Sequence, residues 1–485
     1  MDDLYSPYTA LLYIFNLIVG TGALTLPKAF SEAGWLFSSV VIVFISFISY
    51  VTATFVIEAV AICNALNQWE KLEKMKRVSR YLRLTVDTVE TSDDDDISDT
   101  EDSLMLPAAY IENFPSEPKR LFTLDIKCEL SEMATTLFNK GGQLFFYICV
   151  CLYLYGDLTI YSAAIGKTLV DLTCTTMPNV TENDHCWVTY DFSRRSIYQL
   201  YLGCFLMLFG PFVFFNIQKT KYLQFITSVT RWLAFTLMIG LAIARIADSS
   251  KAHGHPELAV ASGLPALLGS CVYSFMCHHS LPGLLAPVSD KSKIFTHLAL
   301  DYSAILIFYL TLALTALFAF PSLDDLYSLD FIPTGSAWSV AAGIFLTSFP
   351  IMTLTTSFPI ISVTLRSNLQ AIFSSCDWWF LRALFVPLLT VIPPVFIAMT
   401  TENIETLVGI TGSYAGVVIQ YVIPASLILV GRKSIPEAIS NAPFPYKSPF
   451  QSPLWPFLII IWAFISVVLV TFDLIREKSV RSLIY

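Results

Sequence analysis

Residues Val19 to Pro27 read VGTGALTLP. They lie inside the first long apolar stretch, 8–28, which places Gly20, Thr21 and Gly22 at the centre of a membrane helix, with Pro27 and Lys28 after them. Small residues in such a helix have two common explanations. One is close packing through small-xxx-small spacing; the other is an interruption whose freed backbone groups hold a substrate or an ion. Gly20 and Gly22 are two positions apart, not four, so they form no single packing stripe. Thr21 between them, and Asn16 one turn earlier, favour interruption. The positive end of a half-helix starting near Gly22 suits a carboxylate, and the carbonyls ending the preceding half-helix suit a cation or an amine.

The membrane setting follows from composition. The chain is 55% apolar and 14% charged, with a mean hydropathy of +0.63, whereas a soluble domain carries about 25% charged residues. Long apolar stretches recur from end to end, so an all-α polytopic membrane protein is expected. The first stretch lacks a basic n-region and a small-residue cleavage site, and reads as retained helix. The net charge of -9 owes much to one stretch, TSDDDDISDTEDS at 91–103. No clustered Lys and Arg marks a nucleic-acid surface. Ten scattered cysteines without CxxC spacing predict neither a metal nor a redox site. Cys174 and Cys186 differ, because they flank a short polar segment between two apolar runs; a disulfide there requires an oxidising side.

Requiring about 20 largely apolar residues per span gives eleven transmembrane helices: 8–28, 34–62, 142–172, 197–217, 222–247, 264–285, 297–320, 337–362, 380–400, 404–430 and 454–476. The chain then divides into residues 1–62 with the first two helices, a 63–130 insertion, 131–430 with helices 3–10, and 431–485 with a linker, helix 11 and a short tail. Short basic loops prefer the cytosol. A cytosolic amino terminus puts the insertion, 217–221, 289–293, Arg366 and 431–434 on that side, although eleven spans leave the basic tail REKSVRSLIY outside. The Cys174/Cys186 loop faces the exterior or a lumen, and Asn179 in it begins a glycosylation sequon. In the insertion, NQWEKLEKMKRVSRYLRL extends the second helix, and the acidic stretch has too little apolar surface to fold. Tyr81-Leu82-Arg83-Leu84 resembles a tyrosine-based endosomal sorting signal.

A second interrupted span is expected if the chain is an inverted repeat. LLGSCVYSFMCHHSLPGLLAPV, 267–288, supplies it in span six, so the repeat is spans one to five and six to ten. In span eight, FPIMTLTTSFPI at 349–360 sets Thr353, Thr355, Thr356 and Ser357 at membrane depth. Those hydroxyls either satisfy carbonyls of their own helix or join first-helix carbonyls around Na+. Glu58, Asp157, His278, His279 and Asp301 are ionisable groups within spans and need satisfied surroundings. Asp157 reads as a gate, helix clamp or proton-coupling group, and His278 as a titrating group or a lock on the break. Arg231 and Lys28 read as interfacial, with heads that snorkel to water. No HExxH, GxSxG, Walker A or dinucleotide fingerprint occurs in a fitting context, so no enzyme and no catalytic residue is expected.

The stretches FNLIVGTGALTLPKAFSEAGW, YLYGDLTIYSAA, QKTKYLQ, CVYSFMCHHSLPGLLAPV and LVGITGSYAGVVIQYVIPA resemble the transmembrane protein 104 family within the amino acid/auxin permease superfamily. The resemblance implies an eleven-helix permease with a five-plus-five inverted repeat, broken helices 1 and 6, and a final added helix. It implies a substrate region at Ile18, Val19, Gly20, Thr21 and Gly22 and at Ser274, Phe275, Met276, Cys277 and His278. Thr355, Thr356 and Ser357 look similar to the hydroxyl-bearing span of Na+-coupled relatives; with Asn16, Asp157 and His278 they are the coupling or gating candidates. The expected function is secondary transport of an amino acid or related small zwitterion, by Na+ or H+ symport or exchange, with no other cofactor. The competing reading is a non-transporting amino acid sensor or adaptor whose insertion binds a cytosolic protein. The expected location is the plasma membrane or an endosomal or lysosomal membrane.

Overall fold

The computed structural model describes residues 4–89, 121–174, 185–187, 190–214, 221–331, 337–373 and 381–484. Ser6 caps the first helix, α1 (Pro7–Ile18), by accepting from the Thr9 amide at 3.2 Å, and Pro7 sits in the first turn, where a missing N–H costs nothing. α1 ends at Val19, and α2 (Thr21–Ala33) restarts after Gly20 at an angle of 55° to it. α3 (Trp35–Val89) follows as one long helix, and α4 (Leu130–Leu137) and α5 (Lys140–Thr173) resume after the insertion.

A small antiparallel hairpin, β1 (His185–Trp187) and β2 (Tyr190–Ser193), precedes α6 (Arg194–Phe209) and α7 (Lys221–Ala247). The next pair, α8 (Leu264–Ser274) and α9 (Leu281–Leu285), is separated by a non-helical stretch, 275–280. Then come α10 (Ile294–Ala319), α11 (Ala337–Ile372) and α12 (Val386–Thr400). α13 (Ile404–Thr411) runs through two π-helical turns, Gly412–Gly416 and Val418–Val422, into α14 (Ile423–Ser434). α15 (Glu437–Ser440) and α16 (Leu454–Ile484) close the chain.

The fold is mostly helical, and this is a multi-pass membrane protein. Among the described residues nine helices are long and apolar enough to cross a membrane, ten if the bent pair α1–α2 counts as one. The stretch expected as span six is α8 plus α9, 11 and 5 residues long, each too short to cross alone. Leu152, Met207, Phe225, Ile307, Phe396 and Phe464 point outward and exposed, an apolar surface that suits lipid. Inside, Glu58 on α3 is not left bare. Arg432 grips it through Nε and Nη2 at 2.9 and 2.8 Å, and the Ser448 amide donates to it at 3.0 Å.

The two broken helices pack on each other, α2 against α8, and α8 lies in turn against α13. Glycine permits the second contact. A Cβ on Gly269 would stand 2.4 Å from the Gly409 carbonyl oxygen, and one on Gly412 would stand 2.1 Å from the Gly269 oxygen. Ahead of α1, Tyr5 pairs in parallel with Val288, its amide donating to the Pro287 carbonyl at 3.1 Å and its carbonyl accepting from Ser289 at 3.0 Å. The phenol of Tyr5 also donates to the Leu284 carbonyl. The start of α1 and the segment after α9 are thereby clipped together.

Both ends of the insertion lie among the described residues. α3 continues to Val89, and residues 121–129 return as a strap with Leu121, Phe122, Leu124 and Cys128 buried. Asn64 of α3 holds it by donating to the carbonyls of Thr123 and Ile126 at 2.9 and 3.0 Å. Phe122 stacks on Phe444 with centroids 4.1 Å apart. The acidic stretch 91–103 lies outside the described residues, as do Asn179 and most of 217–221.

Candidate functional site

The first break is local in origin. Val19 still donates its amide to the Phe15 carbonyl at 2.8 Å, whereas Gly20 adopts φ -122° and ψ -141° and leaves the helical path. Thr21 then opens α2, one residue ahead of the expected start near Gly22. The second break follows Ser274, whose hydroxyl donates back to the Ser270 carbonyl at 2.7 Å. Gly22 meets Ser274 directly: a Cβ on Gly22 would lie 2.6 Å from the Ser274 Oγ. The start of one half-helix thus rests on the end of another.

Carbonyls at the ends of α1 and α8 have no partner within their own helix. One phenol serves both. The Tyr309 hydroxyl on α10 lies 3.1 Å from the Ile18 carbonyl oxygen and 2.9 Å from that of Ser274. Arg231 on α7 donates to the carbonyl of Asn16, one turn before the break. That position corrects the interfacial reading of Arg231. The guanidinium sits at the negative end of α1, where a cation is favoured. The Asn16 side chain contributes differently, its Oδ1 finding no hydrogen-bond partner among the described residues.

On the other side of the junction, Tyr273 donates its phenol to Asp157 of α5 and lies 2.9 Å from the Thr21 hydroxyl. Because the phenol proton goes to the carboxylate, the Thr21 hydroxyl donates to the Tyr273 oxygen. Asp157 is thereby wired to the first residue of α2. Ile18, Val19, Thr21, Gly22, Ser274, Phe275, Met276, Cys277 and His278 are buried together here, and Gly20 is half-buried. His278 turns away from the junction, its Nε2 lying 2.8 Å from Thr52 on α3. Thr52 donates its own proton to the Ile48 and Ser49 carbonyls, so the imidazole is the donor to Thr52. Cys277 lies 3.2 Å from the Tyr302 hydroxyl, and Phe275 packs edge-on to Tyr309 with centroids 5.3 Å apart.

The span-eight residues Thr355, Thr356 and Ser357 are half-buried on α11, which packs mainly on α5 and α7. Thr356 and Ser357 donate to the Thr353 carbonyl of their own helix at 2.8 and 3.0 Å. Among the described residues no hydrogen bond joins them to α1 or α2, and no group of three or more His, Cys, Asp or Glu is placed to hold a metal. Asp301 is buried with one carboxylate oxygen unpartnered. Cys174 and Cys186 form a disulfide, Cα atoms 4.7 Å apart, that ties the end of α5 to β1.

Sequence reading missed Tyr273, Tyr309 and the task of Arg231. Arg231 carries a usable signal, a cation some ten residues into an apolar span, too deep for easy snorkelling. The two tyrosines carry none, since a tyrosine in a membrane helix is common and only its partner gives it a role.

The family model for "Transmembrane amino acid transporter protein" matches residues 5–88 and 125–475. Transmembrane protein 104 homolog of Drosophila melanogaster is 43% identical, with 97% of each chain covered. Transmembrane protein 104 of Homo sapiens is 43% identical over 98% of each chain, and the Dictyostelium discoideum homolog is 35% identical over 97% of each. Among solved structures, MhsT in complex with L-phenylalanine aligns over 96% of this chain and 100% of its own at 12% identity, with a TM-score of 0.47. Matched along nearly its whole length, the chain belongs to the transmembrane amino acid transporter protein family, among the transmembrane protein 104 proteins.

Proposed function

We propose that this protein is a secondary transporter of amino acids or related small zwitterions, not an enzyme, working by alternating access. In this reading α1–α2 and α8–α9 are the first and sixth of eleven spans in a five-plus-five inverted repeat. The observation that carries it is the meeting of two helix breaks, each inside an otherwise apolar stretch, at Gly22 and Ser274, ringed by Thr21, Asp157, Tyr273, Tyr309 and Arg231. A plain bundle has no use for such a junction, whereas bare helix ends of both signs suit a small charged solute.

Of the two coupling ions, H+ is the better supported. A Na+ site needs free oxygens. Here Tyr309 engages the Ile18 and Ser274 carbonyls, and Arg231, donating to the Asn16 carbonyl, sets a fixed positive charge beside the end of α1 that disfavours a second cation there. Asp157 is a buried carboxylate held by a neutral phenol, a fitting proton carrier. The test is uptake into liposomes holding the purified protein, across a panel of labelled amino acids, with Na+ and pH gradients imposed separately. Accumulation under the inward H+ gradient is expected; absence of uptake and exchange by well-folded protein would end the transporter reading.

The sensor or adaptor reading draws on the insertion, both of whose ends are anchored to α3. Proximity labelling of cells expressing the full chain, or a chain lacking 90–120, checks it: loss of specific neighbours with the segment supports a docked cytosolic protein. The Cys174–Cys186 disulfide supports an exterior or lumenal face on that side, at the plasma membrane or an endosomal or lysosomal membrane.

A further inference from the structure

Cys63 and Cys128 stand apart from the transport junction. Cys63 lies on α3, and Cys128 is the last cysteine before α4, in the strap that returns from the insertion. Their side chains are 0% and 2% exposed, and Cys128 donates its S–H to the Cys63 sulfur at an Sγ–Sγ distance of 3.0 Å. Linear spacing gives no hint of the pair, which is why reading for CxxC motifs missed it. Two thiolates sharing one tetrahedral zinc at about 2.3 Å each would hold their sulfurs roughly 3.7 Å apart. The observed separation is shorter than that, about 1 Å beyond a disulfide bond.

Sidedness sets the resting state. α5 has 34 residues, about 50 Å of helix, longer than the roughly 30 Å hydrocarbon core. The Cys174–Cys186 disulfide caps one end of α5, and the strap with Cys128 precedes the other. One end of the molecule is therefore on the oxidising side and the dithiol is on the opposite, reducing side. The hydrogen bond to Cys63, and after it burial, pushes the Cys128 thiol above its ordinary ionisation range.

We propose that Cys63 and Cys128 are a reversible redox pair that closes into a disulfide when glutathione disulfide accumulates, locking the strap onto α3. Local lifting of the strap exposes the pair. One cysteine thiolate attacks glutathione disulfide, releasing one glutathione; the second cysteine displaces the other glutathione and forms the Cys63–Cys128 bond. Two protein thiols are oxidised, one glutathione disulfide is reduced to two glutathione molecules, and the two protein protons end on them. The lock reaches beyond the strap. Asp125, three residues before Cys128, accepts from Lys291 at 2.8 Å, and Lys291 also donates to the Val288 carbonyl at 2.7 Å in the segment after α9. The inference holds whether or not the protein transports.

The test incubates the purified full chain across a series of glutathione to glutathione disulfide ratios, quenches with acid, alkylates with N-ethylmaleimide and maps the digest by mass spectrometry. A cross-linked pair of peptides holding Cys63 and Cys128, two hydrogens lighter than the free thiols, is expected to rise with glutathione disulfide and vanish when glutathione is restored. Cys63→Ser and Cys128→Ser each abolish it, and the Cys174–Cys186 peptide persists throughout. Full alkylation of both cysteines at every ratio overturns the proposal. So does separate glutathionylation of each cysteine, or a bond that excess glutathione leaves intact.

Discussion

Gly22 rests against Ser274 so closely that a single added Cβ would sit 2.7 Å from the Ser274 Cα, inside any permitted contact. The obstacle is backbone, not a flexible side-chain tip, so neither residue can step aside without moving a half-helix. The junction on which the transport reading depends is held open to no group larger than hydrogen at that point.

Gly22→Ala and Gly20→Ala should therefore part company, although they are two positions apart. Gly22→Ala forces α2 and α8 apart and is expected to cost about 1–3 kcal/mol, as overpacking does, and to abolish uptake. Gly20 has nothing within 4 Å of an added Cβ and a negative φ, so Gly20→Ala should fold and transport within about twofold of the native protein. Melting of each variant in detergent, beside liposome uptake, reads both effects.

Tyr309→Phe keeps the ring and removes the hydroxyl that serves both the Ile18 and Ser274 carbonyls. Leaving buried acceptors unsatisfied costs roughly 1–3 kcal/mol. Lower stability and a fall in uptake of about tenfold or more are expected, measured as above. A variant indistinguishable from the native protein would mean that water or substrate serves those carbonyls instead.

Asp157 and His278 are expected to separate under a pH gradient. Asp157→Asn retains an oxygen for the Tyr273 phenol but binds no exchangeable proton, so exchange at equal pH should survive while acceleration by an inward H+ gradient disappears. His278 clamps the second break to Thr52 of α3. His278→Gln can still donate to that hydroxyl, and its pH dependence should match the native profile even where the overall rate falls.

Asp330, in the loop between α10 and α11, gives the folded state its own pH dependence. Burial, and after it the neighbouring carboxylate of Asp324, pushes its carboxyl up from 3.8 to about 8. The folded state then holds a proton that the unfolded chain has released, so stability is full below about pH 4 and is lost as pH rises through 8. Asp330→Asn still accepts from the Asp324 amide, now without a charge to bury. Its melting temperature should exceed that of the native protein above pH 8, by a few degrees, and converge with it towards pH 4.

Much of this protein was legible in one dimension, because the relevant physics is local. Lipid demands runs of about 20 apolar residues with every backbone group satisfied, so sequence marks the spans; eleven were expected, and among the described residues nine helices, ten with the bent pair, are long and apolar enough. A Gly-Thr-Gly group inside such a run weakens the helix where it stands, and both breaks appear where they were expected, the first shifted by one residue. Cys174 and Cys186 flank one short loop, and their pairing follows from that closeness. Tertiary structure alone decided which of two neighbouring glycines is indispensable, which tyrosine covers the loose carbonyls, and that Arg231 points inward to α1. It alone brought Cys63 beside Cys128 across the insertion. Each of these is a contact between residues distant in the chain, settled by how helices pack, and no property of either residue taken singly encodes its partner.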